Sequence, residues 1–211
     1  MKIITVQELE QNPGLYDEVA EVLRNNGSVC FPTATTYRLA ANILSEKAVI
    51  NFLQVKRRTR KAPLLVFVPD ADKLSLVAES VPDSVAPLIQ AFWPGPLTLL
   101  FELSKSLPRK VLKNLKGNGK VGVRIPDGTI AQNVLRAFDG PLLISSANLP
   151  KKAGSYSEAR IKKDFAPWID LMISAGDLND SFKSTVLDVT VEPPVIQRPG
   201  KIELEEVMAC L

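Results

Sequence analysis

The chain contains no histidine. That absence excludes a Ser-His-Asp triad, a Cys-His dyad, a histidine general base and any histidine-ligated zinc centre. Cysteine is nearly absent as well. Cys30 and Cys210 lie far apart, and two thiols without a CxxC pair cannot build a thiolate cage. Cys30 sits in the apolar run Val29-Cys30-Phe31 and reads as a small buried hydrophobe. Aromatic residues are 6% of the chain, too few for a broad base-stacking surface. The P-loop signature, GxxxxGK followed by Ser or Thr, does not occur. The longest apolar stretches, such as Leu64–Val68, are far short of the ~20 residues a membrane span requires. The first eleven residues turn polar too early for a secretory signal, so the expected setting is cytoplasmic, with no membrane partner. Chemistry on this chain must use Lys, Arg, hydroxyls, carboxylates and backbone groups.

What is present suits one domain over residues 1–211, taking roughly 150 residues per domain as a soft prior. Lys and Arg number 26 against 23 Asp and Glu, and a net charge of +3 is too mild to imply a polyanion by itself. Where the cations sit therefore matters more than their sum. An amphipathic helix is predicted over Leu15–Asn25 with Gly27 as its stop, then a short buried strand from Ser28 to Phe31, cut by Pro32. Ser45 is a good N-cap for a helix through Val55, with Ala48, Phe52 and Val55 as its buried stripe. Strands are predicted at Leu64–Val68, Leu97–Leu103, Val121–Ile125, Pro141–Ile144, Leu171–Ser174, Thr185–Val189 and Val195–Arg198. Helices are predicted at Val85–Phe92, Ile130–Phe138 and Ser157–Phe165, with Ile202–Met208 either helical or extended. Strands and helices intermix without strict alternation. The expected fold is α/β (α+β): a twisted mixed β-sheet with helices packed on it, carrying a concave basic face.

Five segments could carry chemistry. Lys56–Lys61 is the one dense basic cluster, which reads either as a solvated helix end or as a phosphate site of forked and point cations. Phe31–Tyr37 gathers hydroxyls just past a buried strand, where open sheets bind ligands, though the same hydroxyls could be local turn caps. In Val121–Pro126, Arg124 shares the period-two alternation with two valines, so it is either an outward polar residue or an anion anchor in a concave sheet. Ser145-Ser146-Ala147-Asn148 follows a strand and could clamp a small polar ligand or only cap a turn. Ser184-Thr185 and Arg198-Pro199-Gly200 are weak alone.

Together, and in this order, a strand leading into Pro-Thr-x-Thr-x-Tyr-x-Leu, a Lys-x-Arg pair, Phe92–Thr98, Val123–Asp127, Ser145–Asn148, Ser184–Asp188 and Arg198–Gly200 resemble the YrdC-like family of threonylcarbamoyl-AMP synthases. The resemblance covers about residues 19–200. It implies a concave, positively charged sheet face and an enzyme that combines L-threonine, bicarbonate and ATP, with Mg²⁺, into threonylcarbamoyl-AMP and pyrophosphate. The product would feed modification of a tRNA adenosine by a downstream tRNA threonylcarbamoyl transferase. By motif, Lys56 and Arg58 would be catalytic and hold the ATP phosphates, with Arg60, Ser146, Asn148 and Arg198 also on the nucleotide. Thr33, Thr36, Tyr37, Arg124, Ser145 and Ser184 would line the threonine end. No protein metal ligands are implied. A site without histidine suits this chemistry, because carbamate formation and adenylyl transfer depend on positioning, exclusion of water and neutralisation of phosphate charge.

The pattern departs at Ala34, Arg38 and Ala40, where the resemblance calls for a carboxylate and two glycines, at Ala62 in place of a lysine, and at Pro150-Lys151 after the Ser-Ser-Ala-Asn block. These changes leave open a YciO-type paralogue that keeps the fold and phosphate cations without the synthase chemistry. They also leave open an RNA-binding member of the family, for which direct RNA contact would be steeply salt dependent. A carbamoyl-transfer domain of the HypF type is a further alternative, although the companion segments of that larger protein are missing.

Overall fold

The computed structural model of the chain describes residues 1–34, 36–56, 64–115, 118–149, 155–179 and 183–210. In chain order the elements are β1 (Lys2–Thr5), α1 (Val6–Gln11), α2 (Leu15–Arg24), β2 (Val29–Pro32), β3 (Tyr37–Asn42), α3 (Glu46–Val55) and β4 (Leu64–Phe67). Next come α4 (Ala86–Phe92), β5 (Leu97–Glu102), α5 (Arg109–Leu115), β6 (Lys120–Arg124), α6 (Thr129–Phe138) and β7 (Leu142–Ser146). The last are α7 (Glu158–Phe165), β8 (Leu171–Ser174), β9 (Thr185–Asp188), β10 (Val195–Arg198) and α8 (Leu204–Met208).

The strands form one sheet in the order β1-β8-β2-β3-β7-β4-β6-β5-β9-β10. It is mixed. The pairs β1/β8, β2/β8, β4/β6 and β5/β9 are parallel, and the other five are antiparallel. This is the twisted mixed sheet expected from irregular alternation of strands and helices.

Side chains alternate between two apolar clusters, residue by residue, along the strands. Cys30, Leu39, Val66, Leu143 and Met172 belong to one cluster, which α3, α4, α5, α7 and α8 cover. Val29, Phe31, Ala40, Phe67, Leu142, Ile144, Leu171 and Ile173 face the other way, under α1, α2 and α6. Continuous apolar runs in these strands follow from burial on both faces. Each fully buried large side chain stabilises the fold by about 1.5–3 kcal/mol relative to exposure.

Local signals explain the main helix boundaries. Ser45 Oγ accepts from the Ala48 amide at 3.3 Å, and Ala48, Phe52 and Val55 are buried as expected. The stop after α2 differs from expectation: the helix ends at Arg24, and the left-handed residue is Asn26, at φ 68°, not Gly27. Asparagine tolerates that conformation through its short polar side chain. Pro32 closes β2 inside the strand, and β7 runs two residues further than expected, through Ser145 and Ser146.

Candidate functional site

The helix-covered cluster on the α1/α2/α6 side stops at β4. The strand register shows what continues that face. Leu65 pairs with Gly122 and Phe67 with Arg124, Gly122 pairs with Leu100, Thr98 with Val186, and Val186 with Arg198. On β3 and β7 the same face ends in the paired residues Arg38 and Ser146. Except for Phe67, which belongs to the covered cluster, these residues line a cavity of about 470 Å³, together with Thr36, Leu64, Ser155, Lys183 and Ser184. Leu65, Leu100, Gly122 and Val186 make an apolar floor. Among the described residues, Arg38, Arg124, Lys183 and Arg198 supply four cations and no carboxylate is in the lining. A hollow with that charge balance and a low-dielectric floor concentrates anions.

Arg124 is the most constrained of the four. It ends β6, is 8% exposed, lies 5.9 Å over the Phe67 ring and donates from Nη2 to Asp127 Oδ1 at 2.5 Å. Burial pulls its pKa down, and neighbouring Arg198 adds to that, while Asp127 pushes back. A guanidinium nevertheless remains charged in proteins. Among the described residues, Arg124 Nε and Thr36 Oγ1 are buried with no hydrogen-bond partner, and both residues line the cavity. Such orphans are rare in a folded interior.

Arg198 donates to the Ser184 carbonyl from Nε at 3.2 Å and from Nη2 at 2.9 Å, and Nη2 also reaches Ser184 Oγ at 2.9 Å. Gly200 makes that clamp possible. A Cβ there would lie 2.4 Å from Ser184 C and Thr185 N and 2.5 Å from the Lys183 carbonyl oxygen, so only glycine lets this backbone press against β9. The Lys201 amide then donates to the Lys183 carbonyl at 3.0 Å.

Of the residues expected from sequence, Thr36, Arg124, Ser146, Ser184 and Arg198 share this cavity. Lys56 and Asn148 stand behind Ser146. Lys56 is buried at the end of α3, donates from Nζ to the Ser146 carbonyl at 2.6 Å and to the Asn148 carbonyl, and lies 5.9 Å over the Phe165 ring. Its ammonium thus straps the Ser-Ser-Ala-Asn backbone and is not part of the lining. Asn148 Oδ1 accepts from Ser146 Oγ at 2.5 Å and orients that hydroxyl.

Three expected threonine contacts lie elsewhere. Tyr37 is fully buried, donates from its hydroxyl to the Gly176 carbonyl at 2.7 Å, accepts there from the Ala175 amide at 2.8 Å, and lies 3.2 Å from Glu158 Oε2. Its backbone joins Ser155 and Ala147, so it braces the cavity wall from outside. Thr33 turns its hydroxyl onto the Thr36 carbonyl at 2.7 Å and faces a second, apolar hollow of about 590 Å³ near Tyr16 and Ile130. Ser145 neighbours Ser146 on β7, and strand alternation sends it to the opposite face. Arg58 and Arg60 lie outside the described residues, as does most of the 56–61 cluster.

Sequence reasoning did not assign Thr98, Lys183, Ser155 or the apolar floor to the site. Thr98 ends the Phe92–Thr98 segment, whose turn is pinned: Trp93 Nε1 donates to the Leu97 carbonyl at 2.7 Å and the Gly95 amide to the Ile125 carbonyl at 3.0 Å. Arg38 stands out in the sequence only as a departure from a motif glycine. The spacing Gly117-x-Gly119-x-x-Gly122 matches a dinucleotide fingerprint, but it leads into β6 and does not pass from a strand into a helix, so that mechanism lacks its context. Among the described residues, no group of three His, Cys, Asp or Glu side chains could hold a metal, and no helix is long and apolar enough to cross a membrane.

Comparison with known proteins identifies the family and the fold. Residues 21–200 match the family model for Sua5, YciO and YrdC, described as telomere recombination. The threonylcarbamoyl-AMP synthase of Pyrococcus abyssi is 35% identical over 188 residues, covering 89% of this chain and 54% of that protein. The threonylcarbamoyl-AMP synthase of Bacillus subtilis is 31% identical over 205 residues, covering 97% of this chain and 58% of that protein. The chain therefore spans little more than half the length of these two relatives. The crystal structure of P. abyssi Sua5 complexed with L-threonine superposes with a TM-score of 0.85 at 32% identity, covering 100% of this chain and 61% of that one. With a match that runs from α2 to the end of the clamp around Arg198, this chain belongs to the Sua5/YciO/YrdC family.

Proposed function

We propose that the chain is an L-threonylcarbamoyladenylate synthase, forming threonylcarbamoyl-AMP and pyrophosphate from L-threonine, bicarbonate and MgATP. The observation that carries this is the shared cavity, which among the described residues has four cations, a row of hydroxyls, an apolar floor, no lining carboxylate and the buried, unsatisfied Arg124 Nε. The names of the P. abyssi and B. subtilis relatives, and the L-threonine bound in the P. abyssi structure, support the substrate class.

In this site Arg124 pairs with the threonine carboxylate, held in place by Asp127 and Phe67. The floor of Leu65, Leu100 and Val186 offers water no hydrogen-bond partner, which favours condensation of the threonine amine with bicarbonate to a carbamate and one water. A carbamate oxygen then attacks the ATP α-phosphorus, the bond to the β-phosphate bridging oxygen breaks, and pyrophosphate leaves with the electron pair. Arg198, Lys183 and Arg38 neutralise the charge that develops on the phosphates, and the Ser146 hydroxyl, fixed by Asn148, donates to them. Arg58 and Arg60 are further candidates for the triphosphate. Lys56 serves by holding the Ser146 carbonyl. Mg²⁺ enters with the nucleotide as part of the substrate and keeps mainly phosphate and water ligands. The reading also gives the product a downstream tRNA threonylcarbamoyl transferase and places the chain in the cytoplasm.

One observation favours a second reading. Arg38 occupies the cavity at a position where the resemblance calls for glycine, which suits a YciO-type paralogue with a more anionic ligand. Pyrophosphate release separates the two. L-threonine, bicarbonate and MgATP together should release pyrophosphate, and omitting the amino acid should stop it. No amino-acid-dependent release from folded protein would favour the paralogue.

A further inference from the structure

Thr98 is buried at 4% exposure on β5, yet its hydroxyl reaches the cavity and lies 3.3 Å from Ser184 Oγ. Its methyl group lies beside Gly122, where an added Cβ would come to 3.0 Å from Thr98 Cγ2. The hydroxyl is aimed at Ser184. Ser184 is fixed in turn by Arg198, which holds both its carbonyl and its hydroxyl oxygen.

Hydrogen-bond counting then constrains what this pair can bind. A guanidinium only donates, so Arg198 consumes one acceptor position on Ser184 Oγ. The contact between Thr98 and Ser184 consumes one proton and one acceptor position. Two hydroxyls bring two protons and four acceptor positions, so one proton and two acceptor positions remain for a ligand. A group that is both donor and acceptor satisfies that remainder, as a ligand hydroxyl does. A methyl group in the same place would strand a buried donor at a net cost of about 1–3 kcal/mol.

We infer that Thr98 is a specificity-determining residue which, together with Ser184, reads the side-chain hydroxyl of a β-hydroxy-α-amino acid. This rests on the proposal that the cavity binds an amino acid. Such a pair would let a site with an apolar floor reject the isosteric L-valine, since hydrophobic shape alone discriminates poorly between a methyl and a hydroxyl.

Calorimetric titration with L-threonine and L-valine tests it, using the full chain and Thr98→Val, Thr98→Ala and Thr98→Ser, each checked for an unchanged circular dichroism spectrum. The unsubstituted chain should prefer L-threonine by at least about tenfold. Thr98→Val and Thr98→Ala should each erase most of that preference, through weaker L-threonine binding, while MgATP binding stays within about twofold. Thr98→Ser should restore it. If the unsubstituted chain binds neither amino acid, the functional proposal fails first. If it prefers L-threonine and either folded hydroxyl-less variant keeps the full preference, the assignment of Thr98 is overturned.

Discussion

One face of the sheet is built in two contrasting halves. From β1 to β4, the residues on that face are Ile4, Ile173, Phe31, Ala40, Ile144 and Phe67, and α1, α2 and α6 cover them. From β6 to β10, the same alternation delivers Gly122, Arg124, Thr98, Val186 and Arg198, which line an open cavity that Leu65, Arg38 and Ser146 of β4, β3 and β7 close on its near side. The sheet is continuous across the boundary, although β4 is antiparallel to β7 and parallel to β6. Phe67 and Arg124 are directly paired neighbours. The covered half supplies stability and the bare half supplies a site, and the difference lies in which side chains a shared pleat presents.

The largest effect that could break this contrast is on stability. Phe31→Ala in the covered half should cost about 3–5 kcal/mol of unfolding free energy, as large-to-small changes in sealed cores do. Leu100→Ala in the half-buried cavity floor should cost less than half as much, because solvent can enter the space it leaves. Urea denaturation measures both, and equal losses would mean that the second half is as sealed as the first.

A smaller effect concerns the brace behind the cavity. Glu158 is held by Ser174 Oγ, the Gly176 amide and Lys162. Burial alone would raise its pKa, but hydrogen bonds from Lys162, Ser174 and Gly176 outweigh it and hold the carboxyl below its ordinary value of 4.5. A folded-state pKa below the unfolded one gives stability that is present above the unfolded value and is lost as pH falls through the folded value. Unfolding free energy should therefore fall on acidification below about pH 4.5, and Glu158→Gln should flatten that part of the profile. An identical acid slope in both proteins would remove Glu158 from the brace.

Much of the covered half was legible in the sequence, because apolar runs such as Leu64–Phe67 and Leu142–Ile144 announce strands buried on both faces. β3 was not. Its Tyr-Arg-Leu-Ala-Ala-Asn segment has two alanines and an inward arginine, so neither alternation nor a continuous apolar run shows. The edge strand β1 and the helix α5 were also missed, since each is short and its pattern needs a tertiary partner to take meaning. In the site, Arg124, Ser146, Ser184 and Arg198 were readable as polar residues at strand ends. Lys56, Tyr37 and Ser145 show the limit. All three are polar residues in plausible motifs, but a carbonyl strap, a buried clasp and a one-residue change of face decide where their functional atoms point.

Calorimetric titration of L-threonine into the unsubstituted chain and Arg124→Ala, in the presence of bicarbonate and MgATP, is the most direct measurement. Truncating a buried, hydrogen-bonded cation should weaken L-threonine binding by about 100-fold, with the fold intact by circular dichroism. Equal affinity in the two proteins would contradict a ligand site on the bare half of the sheet.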